Sequence, residues 1–272
     1  MTVDAAGFKI NFSNITKSFK TQRGATTVHA ITALSLGIRE KEFVCLVGPS
    51  GCGKSTLLNL VAGFEHPTSG EVLLDGRRIT QPGPDRGVVF QDGALFPWLT
   101  VLGNICYGPQ RRSIPRKQYL TSAYALLEQV GLRSFADSLP SELSGGMRQR
   151  VAIARALVNE PEVLLMDEPF GALDPQTRFL MQERLLDVWE HQHRTVLFVT
   201  HDVDEALFLA DRVIVMSRRP GRVLRDIAVD LPRPRGYKML TSSRFMEFKS
   251  EIFDLVRQES IAAAHAIERS TD

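Results

Sequence analysis

Phe43-Val44-Cys45-Leu46-Val47-Gly48-Pro49-Ser50-Gly51-Cys52-Gly53-Lys54-Ser55-Thr56 is the stretch that decides the fold. Its first five residues form a short, continuous and partly β-branched apolar run, which suits a strand buried on both faces. From Lys54 to Ala62 the residues read as a helix, and Gly63 is placed to cap it. Between strand and helix, Gly48-x4-Gly53-Lys54-Ser55 has the spacing of a phosphate-binding loop. Gly48, Gly51 and Gly53, with Pro49, Ser50 and Cys52 between them, let backbone N–H groups turn inward around phosphates. The helix N-terminus behind them adds about half a positive charge. Lys54 is expected to reach the β- and γ-phosphates, the Ser55 hydroxyl to coordinate Mg²⁺, and Thr56 to add another hydroxyl contact.

Strands and helices alternate outward from this centre. Val72-Leu73-Leu74-Asp75-Gly76-Arg77-Arg78-Ile79 reads as two short strands around an Asp-Gly hairpin turn. Leu120, Ala123, Leu127 and Val130 share the face of an amphipathic helix that Gly131 stops. Gly145 to Leu157 also reads as a helix, and between roughly Gly93 and Asn159 no strand is expected. Strands return at Val163–Met166, Val196–Val199 and Val213–Met216, the last before a Pro220-Gly221 turn. After Pro232 and Pro234 the chain is expected to be helical, with Phe245, Phe248, Ile252 and Leu255 on one face. The alternation predicts an α/β fold with a mostly parallel sheet.

Composition narrows the function classes. The chain has 272 residues, with 33 Lys+Arg against 31 Asp+Glu, so its formal charge is 33 − 31 = +2. At 43% apolar and 24% charged residues it has ordinary globular values, which exclude wholesale disorder and collagen-like structure. The near-neutral charge supplies no whole-protein field for nucleic acid or anionic lipid. No apolar stretch approaches the ~18–20 residues that cross a bilayer. Met1 to Lys9 shows no cationic region leading into an apolar core, so no secretory signal is read there. Cys45, Cys52 and Cys106 cannot all pair and lack zinc spacing, which points to a reducing compartment and plain packing.

A second chemical feature is Val163-Leu164-Leu165-Met166-Asp167-Glu168, an apolar strand ending in two carboxylates. A buried parallel strand delivers its C-terminal residues to the ligand crevice. Asp167 is expected in the Mg²⁺ shell and Glu168 as the base that polarises an attacking water. A third is Leu143-Ser144-Gly145-Gly146-Met147. Ser144 can cap the helix that follows, while Gly145 and Gly146 leave its first N–H groups open to an anion.

A phosphate loop, then Leu-Ser-Gly-Gly, then a carboxylate-ended strand, then Thr200-His201-Asp202, resembles the ATPase subunit of an ATP-binding cassette transporter over about Phe8 to Leu231. The resemblance implies a phosphate-loop NTPase core with an antiparallel β subdomain. It divides the chain into an ATPase domain at 8–235, a helical subdomain inserted at 92–159, and a helical extension at 236–272. It implies ATP and Mg²⁺, and two chains packed head to tail, so that Ser144, Gly145 and Gly146 meet the γ-phosphate held by the other subunit. Met147 stands where the commonest family pattern has Gln.

Other roles follow from the resemblance residue by residue. Gln91 matches a glutamine that touches Mg²⁺ or the attacking water. Asp174 matches a loop that crosses the dimer interface, and His201 a switch histidine that hydrogen-bonds the γ-phosphate. Phe19 aligns with an aromatic that stacks on adenine, although a Phe beside a strand is also a common core residue.

Thr200-His201-Asp202-Val203-Asp204-Glu205-Ala206 resembles the importer form of the switch region. Phe96-Pro97-Trp98-Leu99-Thr100-Val101 resembles the importer segment beneath the groove that receives a short helix of the membrane subunit. Ser217-Arg218-Arg219-Pro220-Gly221-Arg222 and Asp230-Leu231-Pro232-Arg233-Pro234-Arg235 resemble the nitrate, sulfonate and taurine importers. The expectation is therefore an ATP hydrolase that powers import. It would lie at the cytoplasmic face of the inner membrane beneath permease subunits, be served indirectly by a solute-binding protein, and have no nucleic-acid partner. The alternatives are a non-transport cassette ATPase, an exporter or lipid-transport ATPase, and a small-molecule kinase with the same loop. Leu143 to Gly146 argues against the kinase, which needs no second phosphate-binding helix.

Overall fold

The computed structural model describes residues 7–20 and 27–268. Most of the Met1–Lys9 stretch therefore lies outside the described residues. Along the chain run β1 (Phe8–Lys20), β2 (Thr27–Arg39), β3 (Phe43–Val47), α1 (Lys54–Ala62), β4 (Ser69–Leu74) and β5 (Arg77–Arg78). Next come β6 (Arg86–Val89), α2 (Val101–Arg111), α3 (Arg116–Gln129), α4 (Gly145–Leu157), β7 (Val163–Asp167) and α5 (Pro175–Gln192). The chain ends with β8 (Thr195–Val199), α6 (Val203–Leu209), β9 (Arg212–Met216), β10 (Val223–Ala228) and α7 (Ser243–Glu268). They fall into two compact units, Met1–Gly83 with Thr195–Asp272, and Pro84–Arg194.

In the first unit, β3 pairs in parallel with β8 and β9, setting Cys45 opposite both Phe198 and Val213. All five residues of β3 and of β8 are buried. A strand covered on both faces has no polar alternation, which is why both runs were legible as continuous apolar segments. β10 joins antiparallel at β9. A separate antiparallel sheet has the order β2-β1-β4-β5. The β4–β5 hairpin turns at Asp75 (φ 48°) and Gly76 (φ 73°), the left-handed pair that the Asp-Gly dipeptide favours.

The two long strands of that sheet, β1 and β2, escaped the sequence pattern. Their pairing shifts register at several points between Phe8 and Ser18, and Asn14 (φ 46°) and Ala33 (φ 47°) leave the extended region. Each bulge moves the following side chains to the other face, so the period of two never runs far enough to be seen.

Within the region expected to be helical, α7 runs over Ser243–Glu268. Phe245, Phe248 and Ile252 are buried, Leu255 is half-buried, and α7 packs on α6 and β9.

In the second unit, β6 and β7 pair in parallel, with Val89 opposite Met166. α2, α3 and α4 pack on one another. On α3, Tyr119, Ala123, Leu126 and Leu127 are buried while Leu120 is half-buried, and Gly131 follows at φ 67°. Residues 92–159 hold no strand and lie within this unit, which also takes in β6, β7 and α5. Among the described residues, no helix is long and apolar enough to cross a membrane.

Candidate functional site

The loop from Gly48 to Gly53 joins β3 to α1. Gly53 caps α1 at φ 105° without a side-chain hydrogen bond, so the first N–H groups of the helix face outward from a bare backbone. A β-carbon at Gly53 would be strained at that φ and would also sit 3.0 Å from Ile31 Cγ1. Lys54 is 7% exposed. Its ammonium donates to the carbonyls of Gly48 (2.8 Å) and Pro49 (3.1 Å) and lies 3.8 Å from Cys52 Sγ. Burial pushes the Cys52 thiol up despite the neighbouring Lys54, so the sulfur stays neutral and does not balance the ammonium. A buried cation normally faces an anion. Among the described residues the hydrogen-bond partners of Lys54 are neutral, so the loop fits a polyphosphate by charge as well as shape. Ser55 is exposed and Thr56 half-buried at the start of α1.

The second unit carries the carboxylates. Asp167 is the last residue of β7 and is half-buried. Glu168, also half-buried, stands at φ 44° in the left-handed region, a conformation that costs a non-glycine residue of order 1–3 kcal/mol and recurs at functional sites. Gln91 is exposed, and its Nε2 donates to Glu168 Oε2 over 3.4 Å. The register explains the meeting: Val89 faces Met166, so the residues two further along each strand emerge side by side. Within this unit the Gln91 amide oxygen and the Asp167 carboxylate are hard oxygen donors of the kind that suit Mg²⁺, which keeps several ligands from water and phosphate. Among the described residues no group of three or more His, Cys, Asp or Glu could hold a metal by itself.

Ser144 caps α4 by accepting from Met147 N (3.2 Å). Ser144 and Gly145 are exposed, and Gly146 packs so that a β-carbon would meet Leu173 Cδ2 at 2.8 Å. Met147 uses its backbone here, which leaves its side chain free to differ.

Sequence reading missed two residues on the same helix. Gln149, 2% exposed, donates to the Phe90 carbonyl (3.1 Å), and Arg155 donates to the carbonyls of Ala94 (2.8 Å) and Gly93 (3.1 Å). α4 thereby grips the loop that holds Gln91 on both sides. The available signal was a glutamine and an arginine flanking the buried run Val151–Ala154.

Asp174 caps α5 by accepting from Thr177 N (3.0 Å), and the Thr177 backbone and hydroxyl hold its carboxyl below the ordinary range. His201 is exposed in the turn between β8 and α6. That turn is stapled: Thr200 Oγ1 accepts from Asp202 N (3.0 Å), and Asp202 Oδ1 accepts from Asp204 N (2.9 Å) and Glu205 N (3.2 Å). Phe19 is 37% exposed, so it is a surface ring and not core. Lys17 Nζ lies 4.7 Å from its centroid and is itself held by Glu65 and the His66 carbonyl.

Phe96 and Tyr107 meet as tilted rings, centroids 4.4 Å apart, beside a groove of about 560 Å³ that Arg86, Phe90, Arg112 and Arg155 also line. Asn104, fully buried, accepts from Phe96 N and donates to the carbonyls of Phe96, Leu99 and Thr100. It fixes the Phe96–Thr100 segment from below, and Trp98 projects from it 72% exposed.

Residues 31–171 match the family described as ABC transporter. The nitrate import ATP-binding protein NrtD of Synechocystis is 45% identical, over 95% of this chain and 98% of that protein. The taurine import ATP-binding protein TauB of Rhizobium johnstonii is 48% identical, over 86% of this chain and 91% of that protein. A dimeric post-hydrolysis structure of the ATP-binding cassette MJ0796, bound to ADP and Pi, aligns with a TM-score of 0.73 and 34% identity, covering 82% of this chain and all (100%) of that one.

Proposed function

The chain belongs to the ABC transporter family as an ATP-binding subunit, and from that premise we propose that it hydrolyses ATP to power solute import of the nitrate, sulfonate or taurine type. The observation that carries ATP binding is Lys54, a buried ammonium whose hydrogen-bond partners among the described residues are neutral, at the mouth of a glycine loop and a helix N-terminus. The names of NrtD and TauB support import, and the dimeric MJ0796 structure supports a working dimer.

Within this reading, Gly48 to Gly53 and Thr56 bind phosphate, and Lys54 neutralises the β- and γ-oxygens. Ser55, Gln91 and Asp167 hold Mg²⁺, which when bound supplies charge stabilisation to the transferring phosphoryl group. Glu168 polarises the attacking water, His201 donates to the γ-phosphate, and Phe19 stacks on adenine. Ser144, Gly145 and Gly146 serve the nucleotide of a second copy. The exposure of this capped helix start supports that role, and Asp174 belongs to the same dimer face. Each nucleotide then contacts both copies, so binding favours the closed dimer.

The groove beside Phe96 and the exposed Trp98 suit a short helix of a membrane subunit, since aromatic anchors dominate such interfaces. The subunit would thus sit at the cytoplasmic face of the inner membrane, with a solute-binding protein acting on the far side of the permease.

The test is copurification of the full chain with its permease, followed by ATP-driven uptake in vesicles. ATP hydrolysis that rises on assembly, and uptake lost with Glu168→Gln, are expected. Hydrolysis that needs a phosphate acceptor would instead support a kinase.

A further inference from the structure

The turn from β9 to β10, Ser217-Arg218-Arg219-Pro220-Gly221-Arg222, lies against the phosphate loop. Arg219 donates from Nε to the Gly51 carbonyl over 3.3 Å, and its Nη2 would lie 2.9 Å from a β-carbon placed on Gly51. Two residues on, Gly221 approaches so closely that a β-carbon there would come within 2.0 Å of the Cys52 carbonyl oxygen. Gly221 is pinned in turn to β2: its N–H donates to the Ala30 carbonyl (2.8 Å) and its carbonyl accepts from Thr32 N (3.2 Å). On the approach side, the Met216 carbonyl oxygen would lie 2.8 Å from a β-carbon on Gly48. The turn therefore braces the loop at Gly51 and Cys52, and the end of β9 abuts it at Gly48.

The contact at Gly51 has a direct consequence for anion binding. A trans peptide unit points its C=O and N–H in opposite directions. Holding the Gly51 oxygen outward fixes where the N–H of Cys52 points. In this structure that N–H donates to the Pro49 carbonyl at a long 3.3 Å, an easily exchanged bond. Arg219 is exposed, and among the described residues the Gly51 carbonyl is the one hydrogen-bond acceptor it uses. Its Nη groups are open to an anion, and a guanidinium is suited to phosphate oxygens.

We infer that Arg219 is a nucleotide-positioning residue: it holds the Gly51–Cys52 peptide for a polyphosphate and places a guanidinium charge beside it. The inference rests on the phosphate-loop reading above. Its mark is dependence on phosphate number, because a monophosphate engages little of the loop.

The experiment is calorimetric titration of full-length wild type, Arg219→Ala, Arg219→Lys, Gly221→Ala and Lys54→Ala with ATP and with AMP, alongside melting without nucleotide. Arg219→Ala should weaken ATP by about three- to tenfold, the range for one exposed charge-assisted contact. AMP affinity and the nucleotide-free melting temperature should stay unchanged. Arg219→Lys should recover part of the loss. Gly221→Ala, which must push the turn off the loop, should weaken ATP selectively with Arg219 still present. The inference is overturned if Arg219→Ala binds ATP within twofold of wild type while Lys54→Ala loses it, or if ATP and AMP weaken equally. Should Lys54→Ala also bind ATP normally, the phosphate-loop reading itself fails.

Discussion

The side-chain amide of Gln91 donates to the Glu168 carboxylate across 3.4 Å, joining the ends of two parallel strands. The bond is at the long limit of useful geometry, so water or another acceptor can replace it at little cost. Glu168 meanwhile holds a left-handed backbone at φ 44°, directly after β7, which turns the chain away from the strand at this carboxylate. Glu168→Gln should keep ATP affinity within a few-fold and cut turnover by about 100-fold or more. It should also accumulate an ATP-bound dimer in gel filtration; turnover at the wild-type level removes Glu168 as the base.

Lys54→Ala should weaken ATP by about 30-fold or more, because its charge-assisted contacts to the phosphates go together. Equilibrium titration measures this directly. The fold should survive, since the ammonium's present partners are neutral carbonyls and a thiol at a loop edge.

Gln149→Leu removes one of two donors to the Phe90 carbonyl, which keeps its hydrogen bond from Gly93 N (3.1 Å). That should lower stability by about 0.5–1.5 kcal/mol in urea unfolding. Because Phe90 adjoins Gln91, turnover should fall further than ATP affinity, and steady-state kinetics separate the two.

Arg235 is buried and donates to the carbonyls of Leu207, Phe208, Ala210, Val229 and Leu231. It closes the C-terminal end of α6, whose other end follows His201. Arg235→Met should cost about 2–4 kcal/mol in chemical denaturation, since several carbonyls lose their donor at once.

Asp174 titrates below the ordinary carboxylate range because Thr177 hydrogen-bonds its charged form. Its folded pKa is thus depressed relative to the unfolded chain, near about 3.9. The stabilisation is complete above that value and disappears as pH falls through the folded pKa. Asp174→Asn should melt a few degrees lower at most near neutrality. The gap should close as pH falls below the ordinary carboxylate range and through the depressed folded pKa; a gap that widens in acid contradicts the cap.

Some of this was legible in the chain because it is local. Lys54–Ala62 and Gly145–Leu157 begin and end at the residues expected, since a loop glycine or a capping serine writes each boundary into the sequence. β3, β7 and β8 were legible because strands buried on both faces read as uninterrupted apolar runs. β1 and β2 were not, since bulges erase the alternation by which a strand is recognised.

What the sequence alone determined is a set of local motifs: the glycine loop before α1, the carboxylate pair at the end of β7 and the capped glycine start of α4. Each needs particular residue types at fixed short spacing, because backbone and side chain act there within a few residues of each other. What only the tertiary structure decided is which distant residues serve those motifs. Gln149 reaches Phe90 across 59 positions and Arg219 reaches Gly51 across 168. No local pattern encodes such pairs, because a single hydrogen bond between remote segments is selected by the packing of whole strands and helices.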